Sequence, residues 1–329
     1  MKATAIANAN ISLVKYWGKR NKELILPQNG SISMTCQGLS TVTTVEFSDK
    51  YDKDTISIND EELKEDEKNI LGHLDKIRNL AGVNKKAKIV SKSNFPVAAG
   101  LASSASGIAA LTFAVMKALG LKLNEKKLTI LTRKGSGSAC RSVCEGFVEW
   151  YRGKKADGSD SFAETIAKKD YWPEFRMIAT IVSEAQKKIP SRAGMAQTVE
   201  TSPYYKGWLE TIDQDLKAIR KGILEKNFSL VGKTAEENCL KMHALMMTTR
   251  PAIIYWINST MEIIHSVLEW REEGIECYFT IDAGPNVKVL CLKKDEKIIK
   301  KRLLKLKGVK KIIICKPGDG AKLTKKHLF

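Results

Sequence analysis

Residues 96–107, Pro-Val-Ala-Ala-Gly-Leu-Ala-Ser-Ser-Ala-Ser-Gly, are of the types that can hold a phosphate group. The side chains are small except Leu101, and none is charged. Ile108, Leu111, Val115 and Leu119 follow at helical spacing, so the stretch reads as a loop opening a helix. Small side chains let a ligand approach the backbone. A helix N-terminus offers unpaired N–H donors and partial positive charge. The hydroxyls of Ser103, Ser104 and Ser106 add contacts for phosphate oxygens or a metal. No Gly-Lys-Ser/Thr closes the stretch, so it is not a Walker A loop. Taken alone it suits a phosphate cradle and a tightly packed helix N-cap equally. Asp282, in Asp-Ala-Gly-Pro-Asn, is ambiguous in the same way: by itself it reads first as a turn former.

Periodicity predicts the elements that must position these groups. Strands are expected over 3–8, 41–47, 55–58, 87–91, 146–151, 177–182, 277–281, 287–291 and 309–314. Residues 10–20 read as an apolar loop with three cations, and 26–33 as turn chemistry around Pro27, Asn29 and Gly30. Helices are expected over 66–80 and 124–133. Leu209, Ile212, Leu216, Ile219 and Ile223 mark a third helix, and Met261, Ile264 and Leu268 a fourth. Residues 135–141 form a second small-residue loop, and 152–175 a polar surface crossing. Beyond residue 183 the chain becomes helix-rich, which places a domain boundary there, between 1–183 and 184–329. Strands and helices alternate in both halves, so the class is α/β or α+β.

The 329 residues carry a net charge of +18, with 14 Lys/Arg against 3 Asp/Glu between residues 293 and 329. That raises nucleic-acid binding as a possibility. The basic segment is regularly patterned, however, with Ile299, Leu303 and Leu306 on one helical face. It has only Phe329 as an aromatic, so no platform for stacking bases is present. Seven scattered cysteines without Cys-x-x-Cys read as buried thiols. No run is long enough to span a membrane, and the first residues resemble no targeting peptide, so a cytoplasmic protein is expected.

The stretch 96–107 closely matches the phosphate loop of the GHMP small-molecule kinases. Four further segments resemble diphosphomevalonate decarboxylases: 11–19, ending Lys-Tyr-Trp-Gly-Lys; 135–141, Gly-Ser-Gly-Ser-Ala-Cys-Arg; 194–203, Gly-Met-Ala-Gln-Thr-Val-Glu-Thr-Ser-Pro; and 279–286, Phe-Thr-Ile-Asp-Ala-Gly-Pro-Asn. The motifs appear in the family's order and cover most of the chain, which is thereby identified as a member of that family. The resemblance implies an α+β, two-layer GHMP-kinase fold. Residues 1–183 would carry the ATP loop, 184–329 would form a ferredoxin-like domain, and the active site would lie in the cleft between them. It also implies a reaction of the mevalonate pathway of isoprenoid biosynthesis. ATP phosphorylates the C3 hydroxyl of mevalonate 5-diphosphate, and loss of that phosphate with CO2 leaves isopentenyl diphosphate.

Site roles follow from the resemblance, position by position. Asp282 would orient or deprotonate the C3 hydroxyl, Lys15 would stabilise charge beside it, and Arg141 would clamp the substrate carboxylate. Tyr16, Lys19, Ser136, Ser138, Ser191 and Arg192 would bind substrate. Ile189-Pro190 departs from the Ser or Thr of many relatives, which bears on the reach of Ser191. Ala98, Ala99, Gly100, Leu101, Ala102, Ser103, Ser104 and Ser106 would cradle ATP, with Mg2+ on phosphate oxygens and Ser103 or Ser104. The purine would sit against residues 91–96. His73, His243, His265 and His327 fall outside every motif. A homodimer is expected, without nucleic acid or membrane. Within the superfamily the competing activities are phosphomevalonate decarboxylation and 3-phosphorylation of mevalonate.

Overall fold

The structure, a computed structural model, describes residues 1–62, 68–96 and 100–329, with residues 68 and 69 described in their backbone alone. The chain begins with β1 (Lys2–Val14), β2 (Lys19–Asn21), β3 (Leu26–Pro27), β4 (Ser31–Ser48), β5 (Thr55–Ile58) and β6 (Glu61–Glu62). Next come α1 (Lys68–Leu80), β7 (Lys86–Ser93), α2 (Ser103–Ala118), α3 (Glu125–Arg133), a 3-10 helix (Gly137–Val143), β8 (Phe147–Trp150) and β9 (Ala163–Ala167). The remainder is β10 (Phe175–Ile181), α4 (Ser191–Thr201), α5 (Tyr205–Leu224), α6 (Phe228–Met247), α7 (Asn258–Glu272), β11 (Tyr278–Ile281), β12 (Val287–Leu292), α8 (Glu296–Leu303), β13 (Lys311–Pro317) and β14 (Lys322–Thr324).

The long strand β4 is the axis of the sheet. It pairs antiparallel with β1 over most of its length, and with β7 and β8. Two further pairs, Cys36 with Pro317 and Gln37 with Lys316, join it to β13. Among the described residues the strand order is therefore continuous, β11-β12-β10-β13-β4-β7-β5-β6. The basic C-terminal segment closes back on the start of the chain, where β14 pairs with β1. There His327 Nδ1 lies 2.6 Å from Thr4 Oγ1, and Leu328 N donates to Thr44 Oγ1 at 2.9 Å.

Helix α2 is buried along most of its length. Ala105, Ala109, Ala110 and Ala114 bring it close to β1 and β4, while Ile108, Leu111 and Val115 fill the adjoining core. Each of those larger side chains contributes about 1.5–3 kcal/mol by burial. The Asn124 side chain caps α3 by accepting from Lys127 N at 2.9 Å. On the far side, α5 presents Ile212, Leu216, Ile219 and Ile223 to the core, as their spacing predicts. The seven cysteines are buried free thiols.

Several expectations need correction. Residues 10–14 are not loop but the second half of β1, and Ser31–Ser33 belong to β4 rather than to a turn. Their Asn and Ser residues conceal the strands because they face a buried arginine instead of apolar neighbours. Residues 135–141 include most of a 3-10 helix. The polar crossing 152–175 contains β9, which pairs with β8. In α7 the buried face is Thr260, Ile263, Ile264, Val267 and Trp270, whereas Met261 and Leu268 face solvent. Thr260 fixes that rotation by donating to Pro285 O at 2.7 Å. The strand expected over 309–314 is β13, shifted to Lys311–Pro317 and only half-buried across Ile312–Ile314. The helix expected over 66–80 is α1; residues 66 and 67 lie outside the described residues.

Candidate active site

A cavity of about 450 Å3 brings together residues from both halves of the chain. Its polar lining includes Lys15, Tyr16, Lys19, Ser136, Ser138, Arg141, Lys187, Ser191, Arg192 and Asp282. Every catalytic and substrate-binding residue expected from the sequence is in that set.

Asp282 follows β11 directly, and the side chain is 21% exposed, open toward the cavity. Lys15 stands just past the end of β1, with its ammonium 2.7 Å from Asp282 Oδ1 and 2.9 Å from the Ser12 carbonyl. Its backbone is held as well. Lys15 N donates to Asn238 Oδ1 at 2.8 Å, and Lys15 O accepts from Asn29 Nδ2 at 2.7 Å. A second lysine, Lys288 of β12, places its ammonium 3.5 Å from Asp282 Oδ2. Burial alone would raise the Asp282 carboxyl. Lys15 and Lys288, aided by Arg141, overcome that and hold it at about 2. Asp282 is thus an ionised hydrogen-bond acceptor at neutral pH.

Arg141 lies in the 3-10 helix and is buried. Its Nε donates to Asn10 Oδ1 at 3.0 Å and Ser33 Oγ at 2.9 Å, its Nη2 to Ser12 Oγ at 2.8 Å, and its Nη1 to Ser31 Oγ. All are neutral acceptors, and no carboxylate pairs with it among the described residues. A guanidinium has five N–H donors and no acceptor. One held this way keeps its full charge and faces the cavity ready for a carboxylate. Asn10 is itself oriented, donating to Ser138 O at 2.9 Å and Ser142 Oγ at 2.8 Å.

Tyr16 packs edge-on against Trp150 at 4.7 Å, and its buried hydroxyl has no partner among the described residues. A buried hydroxyl on a cavity wall without a protein partner is available to hydrogen-bond a bound molecule. Lys19 is depressed to about 8 by burial, then by the nearby cations Arg192 and Lys22. Such crowding of like charges suits an anion with several negative oxygens. Pro190 is the N-cap of α4, so Ser191 opens that helix, and its Oγ accepts from Lys187 Nζ at 2.6 Å. Lys187 also donates to Ala283 O at 2.8 Å, and burial lowers it to about 8.

The loop residues divide. Gly100, Ala102, Ser103 and Ser104 line the cavity. Ala102 is the N-cap of α2 at φ 56° and offers no side-chain acceptor to the first turn. Leu101 instead joins the core, and Ser106 is buried with its hydroxyl 2.7 Å from Thr41 Oγ1, so neither faces the cavity. Ala98 and Ala99 lie outside the described residues. No cluster of three His, Cys, Asp or Glu side chains able to hold a metal occurs among the described residues. The oxygens of Ser103 and Ser104 suit a hard cation carried chiefly by phosphate. One apolar stretch of the lining is Ile56, Ile58, Ile70, Ile89, Ile108 and Leu111, with Thr41, Ser91 and Ser93 beside it.

Lys187, Lys288, Asn10 and the serines around Arg141 were not anticipated. Lys288 leaves a signal, a lone charge inside the apolar run Val-Lys-Val-Leu of a buried strand. Lys187 leaves none, since it sits in a polar connection. His73 and His243 are buried and off the cavity, each depressed by burial to about 3.

Two family models match the chain: a diphosphomevalonate decarboxylase-like N-terminal domain over residues 7–163 and a mevalonate 5-diphosphate decarboxylase C-terminal domain over 177–311. The chain is 38% identical over 298 residues to the diphosphomevalonate decarboxylase of Candida albicans, covering 86% of this chain and 82% of that one. It is 35% identical to that of Saccharomyces cerevisiae, covering 99% of this chain and 85% of the relative. Among solved structures, MDDEF in complex with MVAPP, AMPPCP and magnesium superposes with a TM-score of 0.92 at 40% identity, covering 99% of each chain. The Staphylococcus aureus mevalonate diphosphate decarboxylase gives 0.92 at 39% identity over 98% of each.

Proposed function

The chain belongs to the diphosphomevalonate decarboxylase family, and from that membership we propose that it converts mevalonate 5-diphosphate and ATP to isopentenyl diphosphate, ADP, phosphate and CO2. The observation that carries this reading is the Asp282 carboxylate held by Lys15, in one cavity with Arg141 and the α2 N-terminus. A relative solved with MVAPP, AMPPCP and magnesium supports the same ligands here.

Asp282 accepts a hydrogen bond from the tertiary C3 hydroxyl and aims its oxygen at the γ-phosphorus. Held at about 2, it is a weak base, which suits a loose phosphoryl transfer in which the proton leaves late. Lys15 neutralises charge between Asp282 and the transferring group. Arg141 holds the substrate carboxylate, and Tyr16, Lys19, Ser191 and Arg192 hold the diphosphate, with Ser136 and Ser138 beside it. The C3–O bond then breaks toward the departing phosphate while the C–CO2 electrons form the new double bond. Backbone and hydroxyls of Gly100, Ala102, Ser103 and Ser104 face the nucleotide phosphates. Magnesium, when bound, offsets phosphate charge and would be held by those phosphates with Ser103 or Ser104. The purine is assigned to the isoleucine-lined side of the cavity, next to Ser91 and Ser93.

The 1–183 and 184–329 division moves, in this proposal, to just before β10, because among the described residues β10 pairs only with β12 and β13. A cytoplasmic homodimer is proposed as the resemblance implies. No helix among the described residues is long and apolar enough to cross a membrane. Exposed Ile254, Ile257 and Met261, close in sequence, suit contact between copies.

Incubation with ATP and, separately, mevalonate 5-diphosphate, mevalonate 5-phosphate and mevalonate tests the reading. CO2 and ADP in equal amounts are expected with the diphosphate, at a rate at least tenfold above the others. ADP without CO2 would make the protein a kinase.

A further inference from the structure

Lys288 is fully buried in β12, between Val287 and Val289, and is not part of the cavity wall. An ammonium so placed is costly unless its donors are satisfied and its charge is matched. Its three contacts join two parts of the site, the phosphate loop and the turn after β11. The ammonium donates to the Gly100 carbonyl of the phosphate loop at 2.5 Å and to the Asn286 carbonyl at 3.1 Å. It also lies 3.5 Å from Asp282 Oδ2, the oxygen opposite the one Lys15 holds.

We propose that Lys288 is a positioning residue for the reaction: its ammonium fixes Asp282 against Lys15 and locks the Gly100 turn of the phosphate loop onto the catalytic turn. The backbone geometry agrees. Gly100 is at φ +77°, and a Cβ there would stand 3.0 Å from the Gly284 Cα, so the two turns already touch without side chains between them. Asn286, whose carbonyl Lys288 also holds, accepts from Val182 N at 2.8 Å and Ser183 N at 3.1 Å, anchoring the same turn to the end of β10. One buried charge thus ties the group that orients the alcohol to the loop that faces the phosphates. A second cation on Asp282 also leaves Lys15 less fully neutralised by that carboxylate, and so better able to stabilise negative charge on the transferring group.

Other groups bear on Asp282 as well: Lys15 beyond β1, Arg141 in the 3-10 helix, Lys187 before α4, and Cys239 and His243 on α6. Lys288 adds to these a bond to the phosphate loop, at the Gly100 carbonyl.

The inference rests on the decarboxylase reading and is tested with Lys288→Met. We expect kcat to fall at least 30-fold and ATP affinity to weaken three- to tenfold, with KM for the diphosphate substrate within twofold of wild type. Calorimetry in the Asp282→Asn background should show the same loss of ATP affinity, since the loop contact does not require the carboxylate. A purely structural role would instead move both KM values together or neither. If Lys288→Met does not fold, Lys288→Gln, which keeps a donor for Gly100 without charge, carries the test: kcat falls as before while ATP affinity stays within twofold. A folded variant of either kind with kcat within threefold of wild type overturns the proposal, as does failure of both to fold. Should Asp282→Asn retain turnover, the mechanism itself falls. Should Asp282→Asn be inactive while Lys288→Met is normal, only this inference falls.

Discussion

The two sides of the cavity are built on opposite principles. On one, Lys15, Lys187, Arg141 and Asp282 are fixed by named hydrogen bonds to β1, β4, α6 and the turn after β11. On the other, Ile56, Ile58, Ile70, Ile89, Ile108 and Leu111 present shape and little else. Asp282 follows β11 at one end of the strand order, whereas Ile56 and Ile58 of β5 and Ile89 of β7 lie toward the other. The two sides therefore differ in their sensitivity to substitution. A charged group loses its function when its partner is removed, whereas an apolar wall loses affinity in proportion to the surface removed.

Substitution at Asp282 should be the most damaging. Asp282→Ala should lower kcat by about 10³-fold or more, within the range for a lost acid–base group, and leave nucleotide binding nearly intact. Because Ala leaves Lys15 buried beside a vacated carboxylate, Asp282→Asn is the companion variant, with the same loss expected. Activity within tenfold of wild type in both would remove the charged side from the chemistry. Next is Arg141→Met, for which kcat/KM toward the acid substrate should fall roughly 10²-fold, the scale of a lost charge-assisted hydrogen bond in a buried site. An unchanged value would mean that the arginine only braces β1 and β4.

On the apolar side, Ile58→Ala should raise KM for ATP by about three- to tenfold while kcat stays put, since only contact surface is lost. If instead KM for the diphosphate rises, the assignment of the purine to this side is wrong.

How much of this was legible in the sequence differs between the two sides. The phosphate loop, Lys15, Arg141 and Asp282 could be placed because motif spacing preserves them as a set. The serines at 12, 31 and 33 could not, because a strand that solvates a buried guanidinium looks polar and therefore loop-like. The isoleucine wall was missed for the opposite reason: its members fit ordinary strand and helix patterns, and nothing in a hydrophobic period says that one of its faces is a ligand site. Ser106 shows a further limit. Its residue type fits a phosphate contact, but its helical position turns it toward Thr41.

The smallest effect concerns the histidines behind each side. His243 lies 3.3 Å from the Ile281 carbonyl next to Asp282, and His73 lies 2.8 Å from Thr112 on α2. Both are held near 3 in the folded protein, against about 6.5 when unfolded. Between those values the unfolded chain binds protons that the folded one does not. Stability is thus full above about 6.5 and falls as the pH drops toward 3, by up to about 1.4 kcal/mol per pH unit for each histidine. Urea titrations from pH 7 to 5 should show this slope, and His73→Gln or His243→Gln should each remove part of it. A slope that neither substitution changes would show that these rings do not titrate with unfolding.

The pairing of β1 with β14 has a consequence for biosynthesis. Strand β1 is made some three hundred residues before 322–324, which pair with it at Thr4, Ala5 and Ile6. At about 5–20 residues per second, that stretch waits on the order of tens of seconds for its partner. An unpaired strand invites association with other chains during such a delay. The nascent first half should therefore be a substrate for ribosome-associated chaperones until the closing strand arrives.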